Sequence, residues 1–172
     1  DTDDGSCTSS HCSLREAINA ANGVAGSSIV FNIPQSKGSD IDNGTTGGDV
    51  ANDVWVIEPA TDLPAITGSG TTIDGASQAT FIGGDPNPKG PEVVIQGNSG
   101  SFGLSAQADG VALKSLVVNG FSYGIYLGSD LNGASVQACY IGTNASGTAA
   151  GPKSQSYGIY ISEHTVGDAL TI

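Results

Sequence analysis

Positive charge is what this sequence has least of: five Lys and Arg stand against 17 Asp and Glu, for a formal net charge of −12. Phosphate backbones are held by clustered cations, so nucleic acid is not expected as a partner, and an anionic bilayer surface is disfavoured for the same reason. No apolar run approaches the ~20 residues that a spanning helix needs, so membrane insertion is not expected either. Met is absent, and the chain starts at Asp1 without a targeting segment, as expected of a processed or trimmed secreted protein. Charged residues of both signs make up only 13% of the chain. Its surface must therefore consist largely of hydroxyls, amides and backbone.

Glycine is abundant, with 26 in 172 residues, and 38% of the chain is apolar. The apolar residues come in short β-branched runs separated by Gly, Pro, Asn and Asp, which reads as strands and turns rather than disorder. The length allows one domain with a continuous core, so small size does not force disulfide dependence. Of the three Cys, Cys7 and Cys12 lie close enough to close a small ring in a Gly/Ser-rich loop, while Cys139 sits alone in an apolar run. One bridge and one buried thiol are expected. Zinc at Cys7 and Cys12, helped by His11, is the alternative, but it lacks a second ligand pair at metal spacing. A bridge implies an oxidising, extracellular compartment.

One helix is expected. Ser13-Leu14-Arg15-Glu16 is a capping box, Asn22-Gly23 is a stop, and Leu14, Ala17, Ile18 and Ala21 make one apolar stripe between them. So short a helix is stable only when that stripe is covered. Short strands then follow at Ile29 to Phe31, Val54 to Ile57, Thr71 to Ile73, Val93 to Ile95, Leu116 to Val118 and Cys139 to Ile141. Ile73-Asp74-Gly75, Ile95-Gln96-Gly97 and Val118-Asn119-Gly120 recur at intervals of 22 and 23, and Ile141-Gly142-Thr143 comes 23 later. Gly103-Leu104-Ser105 and Gly124-Ile125-Tyr126 are 21 apart, and Gly158-Ile159-Tyr160 follows after 34, the excess falling on a loop over 143–155. A repeat of this length is one coil of a β-solenoid, each coil stacking its inward side chains on the next. A β-sandwich is the alternative, but it has no reason to keep this register.

The expected fold is therefore all-β: a right-handed parallel β-helix over residues 1–172. Residues 1–23 form a disulfide loop and a cap helix that covers the first coil, and residues 24–172 form the coils, with loops inserted near 35–53 and 143–155. The far end, at Ala169 to Ile172, offers apolar strand residues, so Leu170 and Ile172 are candidates for end-to-end self-association.

Asp4-Gly5-Ser6-Cys7 followed by Cys12-Ser13-Leu14-Arg15-Glu16-Ala17 resembles the CSLREA-type N-terminal motif of secreted bacterial and archaeal parallel β-helix proteins. Leu63-Pro64-Ala65-Ile66-Thr67, Thr72 to Gly75 and Tyr140 to Ala150 also resemble segments of these proteins. The resemblance implies a β-helix exported to the cell surface or medium, within a family whose larger members carry a C-terminal anchor or sorting region. It implies little about activity, because the fold also hosts pectin-degrading enzymes, tailspikes and adhesins.

The residues themselves offer no catalytic set. A polysaccharide lyase needs a basic group and cations near the uronate, yet the only Arg, Arg15, lies in the cap helix, and Lys37, Lys89, Lys114 and Lys153 share no register. A glycosidase needs facing carboxylates, whereas Asp74 is the only carboxylate at its repeated position, ahead of Gln96 and Asn119. It reads as a turn residue before Gly75. Asp40, Asp42, Asp49 and Asp53 form the densest acidic loop and are where calcium would be expected if it binds, but their spacing matches no calcium-binding repeat and a solvated acidic loop is the favoured reading. Two copies of Tyr-Gly-Ile-Tyr place Tyr123, Tyr126, Tyr157 and Tyr160 on one outer strip, either as packing or as a polysaccharide-binding surface. A non-enzymatic structural or adhesive rod is the expected function, with a polysaccharide-binding or polysaccharide-degrading protein as the alternative.

Overall fold

A computed structural model describes residues 5–8, 11–38, 53–98, 101–163 and 169–172. Asp40, Asp42 and Asp49 lie outside the described residues, as does most of the loop expected over 35–53. Helix α1 spans Leu14–Asn22, with Ser13 as N-cap and Gly23 as C-cap, and both halves of the expected capping box are present. Leu14, Ile18 and Ala21 are buried on its inner face, with Ala17 packed beside them.

Among the described residues twelve short strands follow, and every pairing between them is parallel. The first sheet contains β1 (Ser28–Val30), β3 (Thr72–Asp74), β6 (Ala112–Lys114), β9 (Ala134–Gln137) and β12 (Leu170–Thr171). The second contains β2 (Trp55–Ile57), β4 (Val93–Gln96), β7 (Leu116–Asn119) and β10 (Tyr140–Ile141). The third contains β5 (Phe102–Ala106), β8 (Tyr123–Leu127) and β11 (Tyr157–Ile161), and Ile66 joins it through a parallel bridge to Ala106. Along the chain the strands visit the first, second and third sheets in turn, again and again.

The registers stack like on like. Ile29, Ile73, Leu113 and Val136 form one inward column, and Ile57, Ile95, Val118 and Ile141 a second. Leu104, Ile125 and Ile159 form a third, which the spacing of the Gly-Leu-Ser and Gly-Ile-Tyr segments foretold. Most of these side chains belong to one core, and burying each is worth about 1.5–3 kcal/mol. The second sheet is also covered on its outer face, where Val54, Val94, Val117 and Ala145 make a smaller cluster with Tyr140 beside it. Sheets buried on both faces are written in unbroken apolar runs, which is why Val93-Val94-Ile95 and Leu116-Val117-Val118 do not alternate.

The structure corrects four expectations. Ile73-Asp74-Gly75 is not the first member of the Ile95, Val118 and Ile141 column, because Ile73 pairs with Ile29 and Leu113 in the first sheet, and the true neighbour of Ile95 is Ile57. Its 22-residue interval measures a step between sheets rather than one full pass. A second helix, α2 (Ser77–Ile82), was not expected. It lacks a side-chain cap, and its start is held instead by the chain beside it. Ser77 Oγ accepts from the Phe31 amide at 2.7 Å, while the Gln78 side chain accepts from Ile33 N at 2.9 Å and donates to Ile33 O at 2.7 Å. The fully buried Gln78 thus stands in for a neighbouring strand. Residues 35–37 form a 3-10 turn. Cys139 is half-buried rather than buried, and it lies just ahead of β10.

Candidate functional site

The N-terminal cap is a densely hydrogen-bonded polar site. Cys7 and Cys12 are at disulfide distance, with Cα atoms 4.3 Å apart. The Glu16 carboxylate lies beneath them at 2% exposure, accepting from Gly5 N at 2.8 Å, Ser6 N at 3.0 Å and Ser13 N at 2.7 Å. Arg15, the only Arg, donates to Asp62 O at 2.9 Å, Thr61 O at 3.0 Å and Thr61 Oγ1 at 2.9 Å. Asn22 bonds Ala65 O, Thr67 N and Gly68 N. The guanidinium is thus committed to fastening α1 onto the segment before β3, and not to a reacting group.

The four tyrosines come together as expected. Tyr123 pairs with Tyr157 and Tyr126 with Tyr160 in the third sheet, their rings stacked at centroid distances of 5.0 and 5.6 Å. Phe102, which the repeat of Tyr-Gly-Ile-Tyr did not reveal, extends the first row by stacking on Tyr123 at 5.2 Å. Rings in such a ladder use their faces on each other, so what they offer outward along the strip is edges and hydroxyls. Tyr157 and Tyr160, in the edge strand β11, end the two rows on that side and are 51% and 40% exposed.

The polar position that follows the inward residue in the second sheet carries Glu58, Gln96 and Asn119, so its carboxylate is Glu58 and not Asp74. Gln96 Nε2 donates to Glu58 Oε1 at 2.6 Å, and Lys153 reaches the same oxygen at 3.4 Å. Asp74 caps its own turn, accepting from Ala76 N at 3.1 Å, as its turn reading required. The 143–155 segment is irregular, as expected, and packs back on the second sheet. Ala145 is buried there and its carbonyl accepts from Asn87 Nδ2 at 3.1 Å, while Tyr140 donates to Lys89 O at 2.6 Å.

One acidic pair escaped the sequence reading. Glu92 precedes β4 and is 6% exposed. Burial pushes its carboxyl up to about 7, and the charge and hydrogen bond of Asp85 add to that rise, while a backbone hydrogen bond opposes it. The pair spans the segment that carries Asn87 and Lys89, which covers the outer face of the second sheet. A carboxyl raised above its unfolded value contributes stability that is complete below that value and is lost as pH rises through the folded one. Stability is therefore expected to fall by the order of 2 kcal/mol between pH 4.5 and 8, measured by denaturant unfolding, and Glu92→Gln should flatten this fall. A fall that persists in the variant would place its source elsewhere. Cys139 is also shifted: burial pushes its thiol up, away from the thiolate that a nucleophile needs.

Among the described residues no three His, Cys, Asp or Glu gather as metal ligands. Of the calcium candidates only Asp53 is described, buried just ahead of β2. No helix among them is long and apolar enough to cross a membrane. Leu170 lies in β12 at the rim of the first sheet, half-buried, and Ile172 is 67% exposed. Comparison of the chain with family models, with curated proteins and with solved structures finds no match.

Proposed function

We propose that this chain is a right-handed parallel β-helix acting as a non-enzymatic structural or adhesive rod of an exported protein. The observation that supports this reading is the cyclic order of the strands: three parallel sheets visited in rotation, with inward residues stacked like on like. Parallel crossovers within one sheet are right-handed in nearly all proteins, which sets the hand. The three sheets are then the faces of one prism, and α1 is the lid on its first coil. The Cys7–Cys12 pair fits export to an oxidising compartment.

A rod reading also accounts for where the ionisable residues are. Arg15, Glu16, Glu58 and Lys153 each hold one part of the chain to another.

Among the described residues β10, β11 and β12 lie last in their sheets; Tyr157, Tyr160 and Ile161 of β11 are exposed, and so is Ile172, which follows β12. Sheet-edge strands with exposed apolar side chains beside them are surfaces on which a second copy could stack coil on coil. Light scattering over a dilution series, with and without calcium, tests this. Mass that rises with concentration and falls for Ile161→Lys is the expected result. A monomer insensitive to dilution would remove self-association from the proposal. A calcium-dependent mass would turn attention to the Asp40 to Asp53 loop.

A further inference from the structure

An open groove of about 490 Å³ lies where the chain leaves β10 and returns to β11, lined by Ile141, Gly142, Gly151, Lys153, Ser154 and Gln155 among others. The Gln155 side chain has both its amide nitrogen and its amide oxygen buried, and neither has a hydrogen-bond partner among the described residues. Asn119, 1% exposed, packs under Gly151; its Nδ2 donates to Thr143 O at 2.9 Å, and its Oδ1 is likewise without a partner. Buried amide groups in folded proteins are nearly always bonded, so one complete orphan amide and one orphan acceptor beside the same groove call for a ligand or water. The amide also occupies space that glycine leaves, since a Cβ on Gly124 would stand 2.6 Å from Gln155 Nε2.

The groove's charge narrows the ligand. Lys153 is its only cation, and that ammonium is already taken by Glu58 Oε1 at 3.4 Å and Asn98 Oδ1 at 3.2 Å. A chain with net charge −12 disfavours anions further. A group that both donates and accepts is needed at Gln155, and hydroxyls do both. Ile141 supplies an apolar wall for the carbon face of a ring. We propose that this groove binds a neutral sugar unit, its hydroxyls meeting the Gln155 amide and its ring lying on Ile141. This gives the adhesive reading a ligand class and rests on that reading.

The test is a titration of the ¹⁵N-labelled protein, followed by amide NMR spectra, with methyl β-glucoside, methyl β-galactoside and galacturonate as probes. Saturable shifts are expected at Gly142, Gly151, Gly158 and the Gln155 side-chain amide with at least one neutral probe, and galacturonate should bind at least tenfold more weakly. Gln155→Leu should weaken binding at least tenfold. Ser154→Trp, at an exposed position that leaves the core untouched, should do the same by filling the groove. The proposal is overturned by no saturable shift with either neutral probe, by preference for galacturonate, or by binding that both variants leave intact. Shifts confined to Tyr157 and Tyr160 would place the sugar on the ladder instead, and overturn it too. Couplings across backbone hydrogen bonds, measured on the ¹³C,¹⁵N-labelled protein, report the strand pairing separately: if these are present and no sugar binds, the groove reading fails alone, and if they are absent the rod reading fails with it.

Discussion

Gly75→Ala is expected to destabilise the protein by more than about 3 kcal/mol, or to prevent folding, in denaturant unfolding followed by circular dichroism. Gly75 ends β3 and donates its N–H to Lys114 O at 2.9 Å, so it stands directly against the chain one pass away. A methyl group there would overlap the Ser115 carbonyl oxygen and lie 2.8 Å from its carbon and 2.9 Å from Leu116 Cδ2. The oxygen belongs to a backbone held by its own ladder, and Ser115 already sits at φ 50 to turn the corner between β6 and β7. The two nearest atoms are backbone, and Leu116, whose Cδ2 is the third contact, is fully buried and has no room to swing away. Relief would need the two passes to part, breaking the Ile73–Leu113 and Asp74–Lys114 pairings beside it. Gly84→Ala, where the added group meets nothing within 4 Å, is the control and should change stability little.

The second large effect is expected at Glu16. Its carboxylate, 2% exposed, receives three backbone N–H groups, from Gly5, Ser6 and Ser13. Glu16→Ala leaves all three donors without their acceptor, and each orphaned buried group costs about 1–3 kcal/mol. Partial access of water to the loop places the total near 3–5 kcal/mol, read as a lowered unfolding midpoint. Glu16→Gln keeps one acceptor oxygen and should lose less. Equal losses in the two variants would mean that packing, not hydrogen bonding, holds the loop to α1. In the rod reading α1 is the lid of the first coil, so Glu16→Ala should also raise binding of a hydrophobic dye at this end.

The two variants mark what could and could not be read from residues alone. The cap was legible because a capping box is local: Ser13 and Glu16 find each other within one helical turn. The third sheet was legible because Gly-Leu-Ser and Gly-Ile-Tyr repeat both residue type and spacing, which fixed the Leu104, Ile125 and Ile159 column and the tyrosine pairs. The first sheet was nearly invisible. Its β6 buries a single residue, Leu113, and β9 buries only Ala134 and Val136, so each stretch is too short and too sparsely apolar to stand out from the turns around it. Ile73 was consequently assigned to the wrong column, since a period of 22 fits equally a full pass and a step to the next sheet.

Pairings between distant loops were illegible for a different reason. Asn87 with Ala145 and Gln78 with Ile33 depend on which segments the sheets bring together, and composition holds no trace of that. The same is true of Gln155, which reads in sequence as one more polar loop residue and in three dimensions as a buried amide beside a groove.

The most direct test of the account is measurement of scalar couplings across backbone hydrogen bonds by NMR on the labelled 17.0 kDa chain. The account predicts couplings from the Gly75 amide to the Lys114 carbonyl, from Gly97 to Asn119, from Gly128 to Ala106 and from Gly142 to Val118, one set for each of the three sheets. A Gly75 amide coupled instead to a carbonyl near Ile95, the partner that the 22-residue interval alone would give it, would contradict the three-sheet rotation and with it the proposed β-helix.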